Sequence, residues 1–171
     1  MSELNESFLE NLKKQKIILF GSNQMNSVLL GLWKVIKMKK ICIGKKFIGE
    51  GYPCFTIAEA GANHEGDIKK AFQLIDKAKD SGVDAIKFQT YTAAKLTTKT
   101  APKYWDDGIK NESQFDVFSK LDKLSDNEWK EVFDYAKNKK IICFSTPFDE
   151  ESVDMLDSLN VPAFKIASAD I

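Results

Sequence analysis

The chain has 171 residues, enough to bury a real core in a single domain. Its 25 basic residues balance 25 acidic ones, so net charge makes no case for nucleic acid or an anionic membrane as partner. All 25 basic residues are lysines, so a bound anion would meet point charges and backbone N–H groups rather than a guanidinium fork.

Residues 1–15 are polar. Residues 16–21 (K-I-I-L-F-G) read as a buried strand, and 25–36 as a helix. That opening resembles a nucleotide-binding unit only weakly, because one glycine stands where the dinucleotide fingerprint needs three. The segment reads as an N-terminal strand–helix extension, and Met38 as a natural beginning for the rest of the chain. Residues 28–36 are too short to span a bilayer, which needs about 20 apolar residues, and they include Lys34. The N-terminus lacks the order of a signal peptide, so the expected location is the cytoplasm. Cys42, Cys54 and Cys143 lie in apolar, strand-like contexts without metal-ligand spacing, and read as reduced, buried thiols.

Residues 40–47 read as a small hairpin turned at Gly44. A first main strand is expected over 54–60. After the turn at Asn63, His64 and Glu65, Ile68, Ala71, Phe72, Ile75 and Ala78 repeat at helical spacing up to Gly82. A second strand spans 83–91. Residues 92–112 are long, polar and aperiodic, with Trp105 either packed or part of a lid. A short helix over 113–121 precedes a capping box at Ser125 and Glu128, which opens a helix carrying Trp129, Val132, Phe133 and Ala136. A third strand (141–146) ends at Pro147. Asp149 caps the next helix, with Val153, Leu156 and Leu159 inward, and a fourth strand covers 163–168.

This βαβαβαβ rhythm predicts a parallel sheet: half of a (β/α)8 TIM-type barrel, or a small open sheet. No glycine-rich phosphate loop follows the first strand, which favours the barrel. Its first and fourth strands are expected to be unpaired edges.

Polar residues end every strand: Glu59, Lys87 with Gln89, Ser145 with Thr146, and Lys165 with Ser168. Barrel enzymes place their chemistry at that rim. A buried lysine is costly without an anion, and Lys87 and Lys165 repeat the same anomaly. Together with the Ser145, Thr146 and Ser168 hydroxyls they describe a site for a small, multiply charged anion such as a phosphate ester. For Lys87 the alternative is a side chain reaching sideways to solvent. For Glu59 it is a structural ion pair with one of the lysines, against a carboxylate that orients a hydroxyl or moves a proton. His64 reads as a group that stabilises its turn or supports the site from behind, the alternative being direct contact with the ligand, and Asp170 as either facing the mouth or solvated.

The motifs A-E-A-G-A-N-H-E-G (58–66), I-K-F-Q-T-Y (86–91), F-S-T-P-F-D (144–149) and V-P-A-F-K-I-A-S-A-D-I (161–171) resemble, in order and spacing, the sialic acid synthase family. The resemblance covers residues 38–171 and leaves 1–37 outside. It implies a (β/α)8 barrel of which this chain carries about four strands. The family reaction condenses phosphoenolpyruvate with an N-acylhexosamine such as N-acetylmannosamine, with a divalent metal (Mn2+ or Mg2+) polarising the aldehyde. By the family pattern Lys87, Thr146, Lys165 and Ser168 hold phosphoenolpyruvate, Glu59 is the active-site glutamate, and Gln89 and Asp170 face the amino sugar. Ala169 stands where a glycine is common.

The family's two metal-binding histidines lie on strands beyond Ile171, so this chain is expected to bind no metal by itself. The C-terminal domain that lends an arginine across a homodimer is also beyond it. Little or no synthase activity is expected of residues 1–171 alone. The alternatives are another phosphoenolpyruvate-condensing 3-deoxy sugar acid synthase, a non-catalytic phosphosugar-binding half barrel, and a partial gene product without function.

Overall fold

The computed structural model describes residues 18–19, 40–109 and 111–171, with only the backbone of 18–19. The elements in order are β1 (Ile18–Leu19), β2 (Ile41–Ile43), β3 (Lys46–Ile48), β4 (Ile57–Gly61), α1 (Ile68–Asp80), β5 (Ala85–Thr90), α2 (Ala93–Leu96), α3 (Gln114–Leu121), α4 (Asp126–Asn138), β6 (Ile142–Pro147), α5 (Glu150–Ser158) and β7 (Phe164–Lys165). A single 3-10 turn, Ser168–Asp170, comes after β7. The main sheet has the order β1-β7-β6-β5-β4, with every pairing parallel. β2 and β3 form a separate antiparallel hairpin turned at Gly44, as expected.

Strand alternation sorts the side chains into two sets. Ile86 and Phe88 of β5 and Cys143 of β6 face the helices and pack with Ala71, Ile75, Trp129, Val132 and Ala136. Phe164 packs with Val153, Leu156 and Val161 in a second cluster under α5. The opposite parity forms the inner face. At its lower end Ala85, Phe144 and Ala163 pack beneath Ile43 of the hairpin. The hairpin is tied there by Lys46, whose ammonium lies 2.7 Å from Asp84, and Asp84 also accepts the Thr56 N–H. Continuing the same parity upward gives Lys87, Gln89, Thr146 and Lys165, so the inner face is apolar below and polar at the rim.

Helix ends follow the sequence signals. Ser125 and Glu128 form the expected capping box, Ser113 and Asp116 form another at α3, and Asp149 caps α5 by accepting the Ser152 N–H. Gly82 takes φ +74° after α1, the left-handed stop that glycine permits.

Several expectations are corrected. The outer edge of the fourth main strand, β7, is not open: Ile18 and Leu19 pair with Phe164 and Lys165. The helix expected over 25–36 lies outside the described residues. β7 is shorter than expected, because the backbone turns into the 3-10 segment where strand 163–168 would have continued. The stretch after β5 contains a helix, α2, too short to carry a periodic pattern. Cys42 and Cys54 are exposed, and only Cys143 is buried. On the hairpin, alternation turns Ile43 inward and Cys42 outward.

Candidate active site

The rim is built from the C-terminal ends of β4, β5, β6 and β7. Glu59 and Lys87 are register partners, as are Gln89 and Thr146. The Lys87 ammonium lies 2.7 Å from a Glu59 carboxylate oxygen and donates to the Thr146 hydroxyl at 3.2 Å. The Lys87 side chain is 12% exposed and that of Glu59 57%, so the lysine is enclosed while its partner stands open to the mouth. The sideways-to-solvent alternative for Lys87 is thus not what the structure has. The ion pair expected as the alternative role of Glu59 is present, and it leaves most of the carboxylate accessible.

Lys165 occupies the same inner face. Burial holds its ammonium below the ordinary lysine range and the neighbouring Lys87 charge pushes it further down, while Glu59 and Asp170 oppose the shift. The charges that act on Lys165 are thus those of Lys87, Glu59 and Asp170. Lys165 Nζ also donates to the Ile166 carbonyl. Ser168 and Asp170 lie exposed on the 3-10 turn beyond β7.

Ser145 is not at the mouth. It is fully buried on the helix-facing side, and its hydroxyl is 2.6 Å from that of Thr90. Adjacent residues on a strand point to opposite faces, so Ser145 and Thr146 cannot both serve the rim.

His64 stabilises its turn, as expected. Its ring is 2% exposed, packs edge-on against Trp129 and accepts the Gly66 N–H on Nδ1 at 3.1 Å. Burial lowers its pKa, which favours the neutral ring. Trp105 leans on Phe118, and its indole N–H bonds Asp107. Lys103 joins Asp107 at 2.5 Å and Glu112 at 3.4 Å, so the long loop carries its own ionic anchor.

One rim residue escaped the sequence reading. Gly61 has φ +53° and sits at a break in register between Glu59 and Gly61. A Cβ there would stand 3.5 Å from Glu59 Oε1 and 3.7 Å from Gln89 Oε1. The signal was a glycine two residues after a strand-end glutamate, where a bulge can re-aim the carboxylate. Among the described residues no three His, Cys, Asp or Glu side chains gather as a metal site, and the sole histidine already uses Nδ1 internally. No described helix has the length and apolarity to cross a membrane.

Comparison with known proteins points the same way. The NeuB family matches residues 74–171. The chain is 40% identical over 131 residues to an N,N'-diacetyllegionaminic acid synthase of Legionella pneumophila, covering 75% of this chain and 36% of that one. It is 40% identical over 130 residues to the spore coat polysaccharide biosynthesis protein SpsE of Bacillus subtilis, covering 75% and 34%. A solved N-acetylneuraminic acid synthetase of Leptospira borgpetersenii superposes with a TM-score of 0.63 at 33% identity, covering 77% of this chain and 42% of that one. The chain thus spans about a third of the length of these curated relatives. With the parallel sheet, the rim geometry and the family match in agreement, the chain belongs to the NeuB family and forms part of its α/β barrel.

Proposed function

We propose that this rim is the phosphoenolpyruvate-binding part of a nonulosonate synthase, in a longer protein that joins phosphoenolpyruvate to an N-acylhexosamine such as N-acetylmannosamine and releases phosphate. The observation that supports it is the convergence of Lys87 and Lys165 on one inner face, with Lys165 held below the ordinary lysine range by burial and by Lys87. Two ammonium groups so placed repel each other, and a ligand carrying both a phosphate and a carboxylate relieves that repulsion.

In this reading Lys87 and Lys165 neutralise the anion and the Thr146 hydroxyl, already bonded to Lys87, orients it. C3 of the enol attacks the sugar aldehyde carbon and forms the new C–C bond, while the aldehyde oxygen takes up a proton. Water adds to C2 and loses a proton. The tetrahedral intermediate then collapses to the ketone as the C–O bond to phosphate breaks. Glu59 is the open carboxylate beside the reacting atoms and is assigned to orient a hydroxyl or carry one of these protons. Gln89, Asp170 and Ser168 line the remaining rim, the first two toward the amino sugar and Ser168 toward phosphoenolpyruvate. The longer protein is proposed to be a cytoplasmic homodimer.

Calorimetric titration of phosphoenolpyruvate into the chain tests the reading. Saturable binding is expected, weakened about tenfold or more by K87A and by K165A, the scale of losing a charge-assisted bond. Equal affinity in all three proteins would overturn it.

A further inference from the structure

The tops of β5 and β6 are joined by more than their ladder. The Phe148 N–H donates to the Thr90 carbonyl at 3.1 Å. Directly above, the Asp149 carboxylate divides its two oxygens: Oδ1 accepts the Ser152 N–H at 2.8 Å, and Oδ2 accepts the Thr92 N–H at 2.8 Å. The first bond is an ordinary helix cap on α5. The second crosses to the residue preceding α2, on the loop that leaves β5, and no helix requires it. Beside it, the Ala93 N–H donates to Asp122, and Lys95 of α2 pairs with Glu151 of α5. The loop after β5 is thus held by three carboxylates from two other segments: Asp149 and Glu151 at the start of α5, and Asp122 at the end of α3.

Gln89 and Thr146 are register partners, each three residues before its end of this clamp: Gln89 before Thr92, and Thr146 before Asp149. The relative height of the two strand ends therefore sets the Lys87 to Thr146 hydrogen bond. We propose that Asp149 is a positioning residue: by bridging Thr92 and Ser152 it fixes Thr146 where, with Lys87, it receives a small phosphorylated acid. This rests on the phosphoenolpyruvate reading above. Asp149 itself touches no ligand.

Asp149→Asn separates the two bonds. Its single carbonyl oxygen still caps Ser152, since Asn caps as well as Asp, but its NH2 meets the Thr92 N–H donor to donor. D149S likewise keeps a cap and is too short to bridge. Both are expected to melt like the parent chain, to speed amide exchange at Thr92 but not at Ser152, and to weaken phosphoenolpyruvate binding about tenfold, as expected for a misplaced charge-assisted site. Because Asp149 acts through Thr146, D149N is expected to add nothing on a T146V background.

Affinity unchanged in D149N while K87A loses binding would overturn this inference alone. So would D149N and T146V losses that simply add, or losses that track disappearance of the Ser152 cap. Absence of phosphoenolpyruvate binding by the parent chain would overturn the functional reading and this inference with it.

Discussion

Lys87 and Glu59 face each other across neighbouring parallel strands, with the ammonium 2.7 Å from the carboxylate, yet one is enclosed and the other open. The asymmetry matters. An enclosed cation with an accessible partner can accept a second anion without leaving its first, whereas a fully buried pair is saturated.

Glu59 also raises the Lys165 pKa against burial and Lys87. E59Q removes that support, so Lys165 should titrate at lower pH than in the parent chain. An NMR titration of the lysine Cε–Nζ signals reads this directly. A Lys165 pKa that stays put or rises in E59Q would contradict the placement of the two groups.

Gly61 tolerates φ +53° because it has no Cβ. G61A is expected to cost about 1–2 kcal/mol through that backbone angle. A Cβ would stand in ordinary contact with the Glu59 and Gln89 side chains, so any strain reaches them through the backbone of the bulge. The predicted result is a melting temperature lower by about 2–8 °C, with weaker anion binding. A variant with parental stability and affinity would show that the bulge does not shape the rim.

His64 gives a pH signature. Burial lowers its folded pKa below the ordinary value, so the unfolded state binds more protons as pH falls through about 6.5. Stability should therefore decline from pH 7 toward 5.5, before most carboxylates titrate. As the chain has one histidine, H64Q should flatten that part of the melting curve. An unchanged slope in H64Q would mean that the ring is not held neutral.

The pairing of Ile18 and Leu19 with β7 covers a sheet edge that would otherwise be free to pair with other chains. Pro at 18 or 19 deletes a backbone donor, and whichever of these N–H groups faces β7 should matter. Faster amide exchange at Phe164 and Lys165, with self-association in sedimentation, is expected of one of the two variants. Parental behaviour in both would show that this pairing does not protect the edge.

The amino-acid sequence alone determined the βαβ rhythm, the caps at Ser125 and Asp149, and the two out-of-place lysines. These are local properties: strand parity, helix period and the desolvation cost of a charge can be read within a few residues. Strand ends in a parallel sheet meet on one side, which is why Glu59, Lys87, Thr146 and Lys165 could be grouped before any coordinates.

Tertiary structure alone decided which groups share a partner. That the Ser145 hydroxyl finds Thr90 as its partner follows from the register of β6 against β5. The second bond of Asp149 reaches Thr92, 57 residues away, and the strand over Ile18 and Leu19 pairs with β7, near the other end of the sequence. Such pairings depend on where distant backbone segments come to lie, and side-chain patterning along one segment carries no information about that.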